Sequence, residues 1–290
     1  MSSSTTAAVA PPSRGLARKL LADPRSAAGV VIVGLAVAMA LAAPLIATHD
    51  PNAPDFIATL APPSFEHLFG TDDLGRDTFS RIIYGARASI LVGALSVVAA
   101  FMLGTMTGLV AGFFGGWIDG LAMRVMDVIF AFPSILLALA ITAVLGPSLT
   151  NAVLAIAVVN LPVFARIARA QTLVVARLDY VEASRSIGAG TLRILFLTIL
   201  PNILTPVIVQ GSLLFASAII TESYLSFLGL GVQPPTPTWG NMLRNAIGFL
   251  DISPWLATFP GMAIFLIVLG FNLLGDGLRD KLDPRDAPAN

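Results

Sequence analysis

Residues 27–48, AAGVVIVGLAVAMALAAPLIAT, form an uncharged apolar run of 22 residues. As a helix rising about 1.5 Å per residue, this run extends about 33 Å, and the hydrocarbon core of a bilayer is about 30 Å thick. The run is therefore long enough to cross a membrane. A cleaved secretory signal is the alternative, because basic residues precede the run, but a signal's apolar region is usually only about 7 to 15 residues long.

Five further apolar runs follow, and each ends at charged residues, glycine or proline. Of the 290 residues, 56% are hydrophobic and 12% are charged, whereas soluble domains carry about 25% charged residues. The net charge is zero, which gives no indication of nucleic-acid binding. The sequence predicts an all-α integral membrane protein with six transmembrane helices, the later five near residues 88–114, 126–146, 150–165, 194–221 and 256–274.

Positive charge is distributed unequally between the segments that connect these runs. With a cytoplasmic N-terminus, 13 of the 17 Lys and Arg residues fall on the cytoplasmic side and 4 fall outside. Because positive residues are retained on the cytoplasmic side of a membrane, we expect both termini in the cytoplasm. The external residues are Arg76, Arg81, Arg87 and Arg244.

This topology divides the chain into a tail (1–26), the first transmembrane helix (27–48), an extracytoplasmic loop (49–87), a five-helix core (88–275) with a cytoplasmic loop at 166–193, and a second tail (276–290). In the extracytoplasmic loop, apolar residues from Phe79 to Ala86 recur at helical spacing, which predicts an amphipathic helix at the membrane surface. Nearby charged residues are expected to pair with one another in preference to binding substrate; they are Asp72, Asp73, Arg76, Asp77 and Arg81.

The composition argues against catalysis and metal binding in this chain. Cysteine is absent, and His49 and His67 lack the spacing of metal ligands on a helix, so we predict no metal site. Lysine occurs only at positions 19 and 281, so the sequence has no Gly-Lys-Ser/Thr P-loop. If ATP drives this protein, another chain must hydrolyse it. No nucleophile–base set or carboxylate pair indicates an enzyme.

Gly104, Gly108 and Gly112 lie at steps of four residues in the second span. This spacing places small residues on one face of a helix, where another backbone can approach closely. We predict a helix-packing face, either within the chain or with a partner. A surface that slides during gating is the alternative.

No ionisable residue lies deep within the predicted spans. Asp127 comes nearest, within reach of Arg124 one turn away. Proton-coupled carriers usually keep ionisable groups at depth, so this pattern favours an external energy source over a secondary carrier or channel. A membrane anchor without transport is a further alternative.

The loop at 166–193 carries five arginines plus Asp179 and Glu182, and is too polar to cross the membrane. Apolar residues between 174 and 181 recur at helical spacing, and Gly188-Ala189-Gly190 would end a short helix. Small residues suit a helix that presses into a groove of another protein, while charged residues could hydrogen-bond the rim of that groove. An ordinary surface helix is the alternative.

Residues 180–190, YVEASRSIGAG, followed by Leu200-Pro201, resemble the Glu-Ala-Ala loop of bacterial ABC importer permeases. The glycine and the Leu-Pro pair fall at the family's spacing, whereas Ser184 replaces an alanine and Thr198 an isoleucine. Three further segments resemble the second permease of the dipeptide/oligopeptide/nickel importers. They are HLFGTDDLGRDTFSRIIYGARASILVG at 67–93, ESYLSFLGLGVQPPTPTWGNML at 222–243 and GDGLRDKLDPR at 275–285. The resemblance covers residues from about 27 to 285.

This resemblance implies half of a type I importer in a bacterial cytoplasmic membrane. The implied partners are a homologous permease, two ATPase subunits that bind ATP and Mg²⁺, and an extracytoplasmic substrate-binding protein. This chain itself is expected to hold no cofactor. Short peptides are the expected solute, with nickel chelates or glutathione as alternatives.

The resemblance also implies roles for particular residues. The external segment at 222–243 is expected to face the binding protein, with Glu222, Trp239 and Arg244 as candidate contacts; a rigid loop that caps the helix ends is the alternative. The residues expected to couple to the ATPases are Asp179, Tyr180, Glu182, Ala183, Ser184, Arg185 and Gly188.

Overall fold

A computed structural model describes residues 20–282, and every regular element in this range is helical. The outermost parts of the two predicted tails, residues 1–19 and 283–290, lie outside the described range. The helices are α1 (Pro24–Leu41), α2 (Ala43–Ile46), α3 (Thr78–Phe114), α4 (Gly116–Phe130), α5 (Ser134–Leu145), α6 (Leu149–Val175), α7 (Asp179–Ser186), α8 (Thr191–Phe227), α9 (Trp239–Ala246) and α10 (Trp255–Leu282).

Within the described residues, five helices are long and apolar enough to cross a membrane, namely α1, α3, α6, α8 and α10. The predicted third span is not one straight helix, because α4 and α5 meet at an angle of 90°. The break lies just before α5, at Pro133, which has no N–H group to continue the hydrogen-bond ladder. Residues 20–282 contain up to six spans if this bent pair counts as one of them.

The second predicted span begins much earlier than its apolar run. α3 starts at Thr78, where the Asp77 side chain accepts a hydrogen bond of 2.8 Å from the backbone N–H of Ser80. The expected amphipathic surface helix is therefore the first part of α3. Its polar face does not lie at a surface, because Arg81 is buried together with Ile82 and Ile83. That part of the prediction is wrong for Arg76, Asp77 and Arg81, which are buried with partners inside the protein, whereas Arg87 is exposed.

Helix packing brings distant parts of the chain together. α3 and α6 make the most extensive contact in the described chain, α1 packs on α10, and α8 packs against α3, α6 and α10. Phe164 of α6 is fully buried and meets Phe101 of α3 edge-on, with ring centroids 5.7 Å apart. Because lipid tails are as apolar as these side chains, close van der Waals packing stabilises such contacts between spans.

The two ends of the helical bundle differ in structure. The segments 47–82 and 222–254 meet at one end, where the Trp239 indole contacts Ile82, and we call them the loop lobe. Phe69 in the first segment stacks on Phe259 of α10 at a centroid distance of 4.0 Å. α7 lies at the opposite end, where the guanidinium carbon of Arg185 is 5.3 Å from the centroid of the Phe113 ring.

Candidate functional site

α7 is held to the rest of the protein by one buried side chain. Val181 is fully buried and belongs to the main apolar core together with Ile194 and Leu195 of α8. It is the only residue of the eight in α7 that is buried. Asp179 and Glu182 lie in the first turn and Arg185 in the last, an arrangement that complements the helix dipole.

The other faces of α7 are open. The predicted coupling residues Asp179, Tyr180, Glu182, Ala183 and Arg185 are exposed. Ser184 is half-buried, and its hydroxyl donates a 2.8 Å hydrogen bond to the backbone carbonyl of Tyr180. The predicted coupling set therefore forms one accessible surface.

Gly188 follows α7 with a φ of +80°, the left-handed conformation that favours glycine. A side chain added there would meet no atom of this chain within 4 Å. Backbone conformation, and not crowding within the chain, therefore explains the glycine, and the space beside it is open to a partner.

Large apolar side chains flank α7 in the open. Ile187 is 84% exposed and Leu192 is 71% exposed, and Leu178 is also exposed. They lie in a segment too polar to sit among lipid tails, so lipid does not account for them. Large apolar side chains exposed outside the lipid-facing spans indicate a protein-interaction surface.

The connection from α7 to α8 has an irregular geometry that the sequence did not predict. Ile194–Ile199 form a π-helical stretch immediately before Leu200-Pro201. Proline cannot donate to the carbonyl of the preceding turn and clashes with it, which explains a wider turn at this position. Such π-helical stretches are frequent at functional sites. Leu200-Pro201 was the available sequence signal, but it does not specify which helical form results.

Ion pairs connect α6 to α4. Arg169 binds Asp119 through two hydrogen bonds, each 2.5 Å long, and Arg166 binds Asp127 at 2.6 Å. Among the described residues, Asp127 therefore pairs with Arg166 and not with Arg124, the arginine one turn away in its own helix. The Arg166 partner comes from another helix, which local spacing could not indicate.

The predicted glycine face joins α3 to α6 within this chain. Side chains added at Gly104 or Gly112 would lie 2.7 Å from the Leu161 carbonyl oxygen and 2.9 Å from the Arg169 carbonyl oxygen, respectively. One added at Gly108 would overlap the carbonyl oxygen of Ala165. The two backbones touch along this face, as predicted for small residues at four-residue spacing.

At the loop lobe, two of the three predicted binding-protein contacts are inaccessible. Trp239 is buried and donates its indole N–H to the carbonyl of Ile82 at 3.1 Å. Glu222 has no exposed surface, and its Oε1 accepts a 2.7 Å hydrogen bond from Ser226. Only Arg244 is exposed. The burial of Glu222 and Trp239 agrees better with the alternative, a rigid loop that caps the helix ends.

Glu222 lies just beyond the predicted fifth span, which ends near residue 221. α8 continues to Phe227, beyond the end of the apolar run, so this glutamate lies inside the helix. Its other carboxylate oxygen, Oε2, is buried without a hydrogen-bond partner. The apolar run in the sequence predicts the length of helix that faces lipid. It does not predict the last residues of α8, which are buried by other parts of the protein.

The predicted pairing of charges in the loop lobe is confirmed for four residues. Asp72 accepts from Arg76 at 2.7 Å and lies 3.4 Å from Arg81, while Asp73 lies 3.7 Å from Arg76. Arg81 also donates to the carbonyl of Pro51 at 2.8 Å. Asp77 differs, because it caps α3 and contacts His67 at 3.0 Å.

A bundle of spanning helices with a short, exposed, loosely attached helix at one end is the architecture of a transporter permease that docks to other subunits. Residues 104–286 match the family described as binding-protein-dependent transport system inner membrane component. Residues 12–63 match the N-terminal transmembrane domain of oligopeptide transport permease C. The chain belongs to this family of ABC importer permeases and is a non-catalytic membrane subunit.

Individual relatives place the chain among the peptide permeases. It is 48% identical over 257 residues to the dipeptide transport system permease protein DppC of Alkalihalophilus pseudofirmus, covering 89% of this chain and 84% of the relative. It is 46% identical over 275 residues to the glutathione transport system permease protein GsiD of Pectobacterium atrosepticum, covering 94% and 91%. The predicted family is therefore confirmed, against the secondary-carrier and anchor alternatives.

The fold is that of solved importer structures. A chain of the MetNI methionine ABC transporter, in inward-facing conformations, aligns with a TM-score of 0.57 and 16% sequence identity, over 70% of this chain and 96% of that chain. At this identity the match shows a common fold. The predicted helical permease fold is confirmed.

Proposed function

We propose that this chain is the membrane half-channel of an ATP-driven importer of short peptides, and that α7 is the element on which the ATPases act. The exposed surface around α7, with Ile187 and Leu192 beside the charged turn, carries the proposal. A helix with this surface needs a protein partner, and the family of the chain identifies ABC ATPases as the class of partner.

The complete assembly in this proposal has a second, homologous permease, two ATPase subunits and an extracytoplasmic binding protein. ATP and Mg²⁺ belong to the ATPases, since this sequence has no P-loop lysine, and in this proposal the chain takes part in transport without a cofactor of its own. The family description, which names binding-protein-dependent transport, supports the binding protein as a partner.

In this mechanism, ATPase closure moves α7 as a lever. Val181 transfers the movement to the start of α8, and Arg185 transfers it to the end of α3 through Phe113. The glycine face then makes α3 and α6 move together, because their backbones are in contact. Asp119 and Asp127 connect the bent pair α4–α5 to the same unit through Arg169 and Arg166.

α7 faces the cytoplasm in this proposal, and the loop lobe faces outward, with both termini in the cytoplasm. Since the sequence has no cysteine, single-cysteine variants can test this orientation. In intact cells, Thr59→Cys should react with a membrane-impermeant maleimide, whereas Ser186→Cys should react only after the cells are opened. The reverse pattern would contradict the orientation and the docking role of α7.

Short peptides are the proposed solute because the DppC relatives are dipeptide permeases. Glutathione is a second candidate, since the GsiD relative is almost as similar over more of the chain. Nickel chelates remain the third. Competition by dipeptides, glutathione and nickel chelates for uptake of a labelled dipeptide, in proteoliposomes supplied with the binding protein, would rank the three.

The coupling role can be tested by adding a charge to the open space beside α7. Gly188→Asp should leave the chain in the membrane, because no atom of this chain lies nearby, but should abolish ATP-dependent uptake and ATPase co-purification. Gly146→Asp, between α5 and α6, is the matched control, because this glycine also has open space and a positive φ, of +87°. Normal uptake by Gly188→Asp combined with Glu182→Lys would refute the proposal.

A further inference from the structure

Three side chains that are far apart in sequence meet in the loop lobe. His49 follows α2, His67 lies in the first loop, and Asp77 caps α3. The Nδ1 atom of His67 is 3.0 Å from Oδ1 of Asp77, and the Nδ1 atom of His49 is 3.9 Å from Oδ2 of the same carboxylate. Each residue offers one ligand atom, and the three atoms lie within 4.8 Å of one another.

These distances suit one metal ion between the three groups. Two ligands about 2.1 Å from a tetrahedral zinc ion lie about 3.4 Å apart. The separations of 3.0 Å to Oδ1 and 3.9 Å to Oδ2 lie on either side of this value, and because they involve different oxygens of Asp77, both oxygens of this carboxylate would face the ion. The two imidazole rings are close, with centroids 4.8 Å apart and an interplanar angle of 36°, and the Nδ1 atom of each lies within 4 Å of the same carboxylate.

The surroundings have the form of a metal site that is closed on one side. The side chains of His67 and Asp77 are only 11% and 1% exposed, whereas that of His49 is 39% exposed. An ion could therefore enter beside His49, and water could occupy a fourth position there. Asp77 is already oriented by hydrogen bonds to Oδ2, from the Ser80 N–H at 2.8 Å and from the Thr48 hydroxyl at 3.3 Å. Such outer hydrogen bonds typically hold metal-binding carboxylates in place.

We propose that His49, His67 and Asp77 bind a divalent transition-metal ion, with Zn²⁺ as the best match. Two imidazoles and one carboxylate, with no thiolate, select borderline ions such as Zn²⁺ or Ni²⁺ over Mg²⁺ and Ca²⁺, which prefer oxygen ligands. On binding, the nitrogen of His67 that faces Asp77 binds the ion in place of a proton, and the proton passes to solvent. Helix spacing in the sequence argued against a metal, but these ligands come from separate loops.

The bound ion would join the end of α2, the first loop and the start of α3. Metal binding to the folded lobe alone would stabilise it by mass action. The site lies at the opposite end from α7, so this proposal does not depend on the ATPase-coupling role of α7.

The test uses the full transporter complex without a polyhistidine tag, stripped with a chelator and then titrated with Zn²⁺ in a calorimeter. His49→Ala is the main variant, because its side chain is partly exposed and contributes little packing. Asp77→Asn is the second, because asparagine retains the cap on α3 but removes the carboxylate. Asp50→Asn is the control, since it removes a neighbouring exposed carboxylate outside the cluster.

We expect one more Zn²⁺ per complex in the wild type and in Asp50→Asn than in His49→Ala, or an affinity at least about tenfold higher. Co²⁺ should give a visible absorption band that His49→Ala lacks, and added Zn²⁺ should raise the unfolding temperature only where the site is intact. Equal Zn²⁺ binding by the wild type and His49→Ala would overturn the proposal, whatever the behaviour of Asp77→Asn.

Discussion

The two ends of this permease use charged residues in opposite ways. In the loop lobe, Asp72, Arg76 and Arg81 are buried and paired with one another. At the other end, Glu182 and Arg185 of α7 are exposed, and one valine fastens the helix. The difference indicates that the charged residues of the loop lobe find their partners within this chain, whereas those of α7 are available to a partner protein.

The same contrast appears in the apolar residues. Trp239, the largest side chain in the loop lobe core, is buried with its N–H satisfied. Ile187 and Leu192 beside α7 are exposed. A self-contained lobe gives the transporter a fixed outer framework, and a weakly attached helix can be moved by an ATPase without unfolding that framework.

The largest expected effect is in the loop lobe. Asp72→Ala would leave Arg81 buried without a carboxylate partner and Arg76 with only Asp73, 3.7 Å away; removing one partner of a buried ion pair typically costs about 3–5 kcal/mol of folding free energy. We expect a large loss of thermal stability in the purified complex and low accumulation in the membrane. Asp73→Ala, with a more exposed side chain 3.7 Å from Arg76, is the matched control and should cost about 1 kcal/mol or less. Equal losses would show that the lobe does not depend on its buried pairing.

The next effect concerns the packing that connects the two ends. Gly108→Leu would force a side chain against the Ala165 carbonyl and separate α3 from α6. Overpacking a core lowers folding stability by about 1–3 kcal/mol. Because the new side chain would press on backbone, we expect a loss near the upper end of this range. Thermal unfolding of the purified complex measures this loss of stability. Gly34→Leu, where an added side chain meets nothing within 4 Å, should be tolerated; a similar loss there would argue against a specific contact.

A smaller effect is expected at the attachment of α7. Val181→Ala removes two buried methyl groups. Burial of each contributes about 0.8 kcal/mol, so the attachment of α7 should lose about 1.5 kcal/mol of free energy. Because the global fold does not rest on α7, we expect nearly normal accumulation but a severalfold lower ratio of peptide transported to ATP hydrolysed. Val174→Ala is the control, since Val174 is exposed. An unchanged ratio for Val181→Ala would exclude this residue from force transfer.

The smallest effect is expected at Ser184, where related permeases are expected to have alanine. Ser184→Ala removes only the hydrogen bond to the Tyr180 carbonyl within the same helix. Stability should change by less than about 0.5 kcal/mol, and peptide uptake should be unchanged. A clear loss of uptake would mean that the hydroxyl contacts the ATPase.

Much of the fold could be predicted because it depends on patterns within short segments. Uncharged runs of about 20 residues predict spans, since a bilayer requires that length. Four-residue glycine spacing predicted the face that joins α3 to α6, because residues at this spacing share one side of a helix. The exposed helix at 179–186 was foreseen for the same kind of reason, since its charges exclude it from lipid.

Predictions that depended on distant neighbours were less successful. Asp127 binds Arg166 of another helix in place of Arg124 in its own, and Glu222 and Trp239 are buried where a surface was expected. Trp239 donates its hydrogen bond to Ile82, 157 residues earlier. No pattern near either residue specifies such a pair.

The amino-acid sequence by itself determined that the chain crosses a membrane, which segment projects from it, and which helices can approach closely. These properties follow from transfer into lipid and from helical periodicity, which act over one or two turns. The tertiary structure alone decided which charges are buried together, that the third span is bent, and that His49, His67 and Asp77 share one site. Those outcomes depend on how separate segments are oriented in space, because contact energies act only between atoms that packing has brought together.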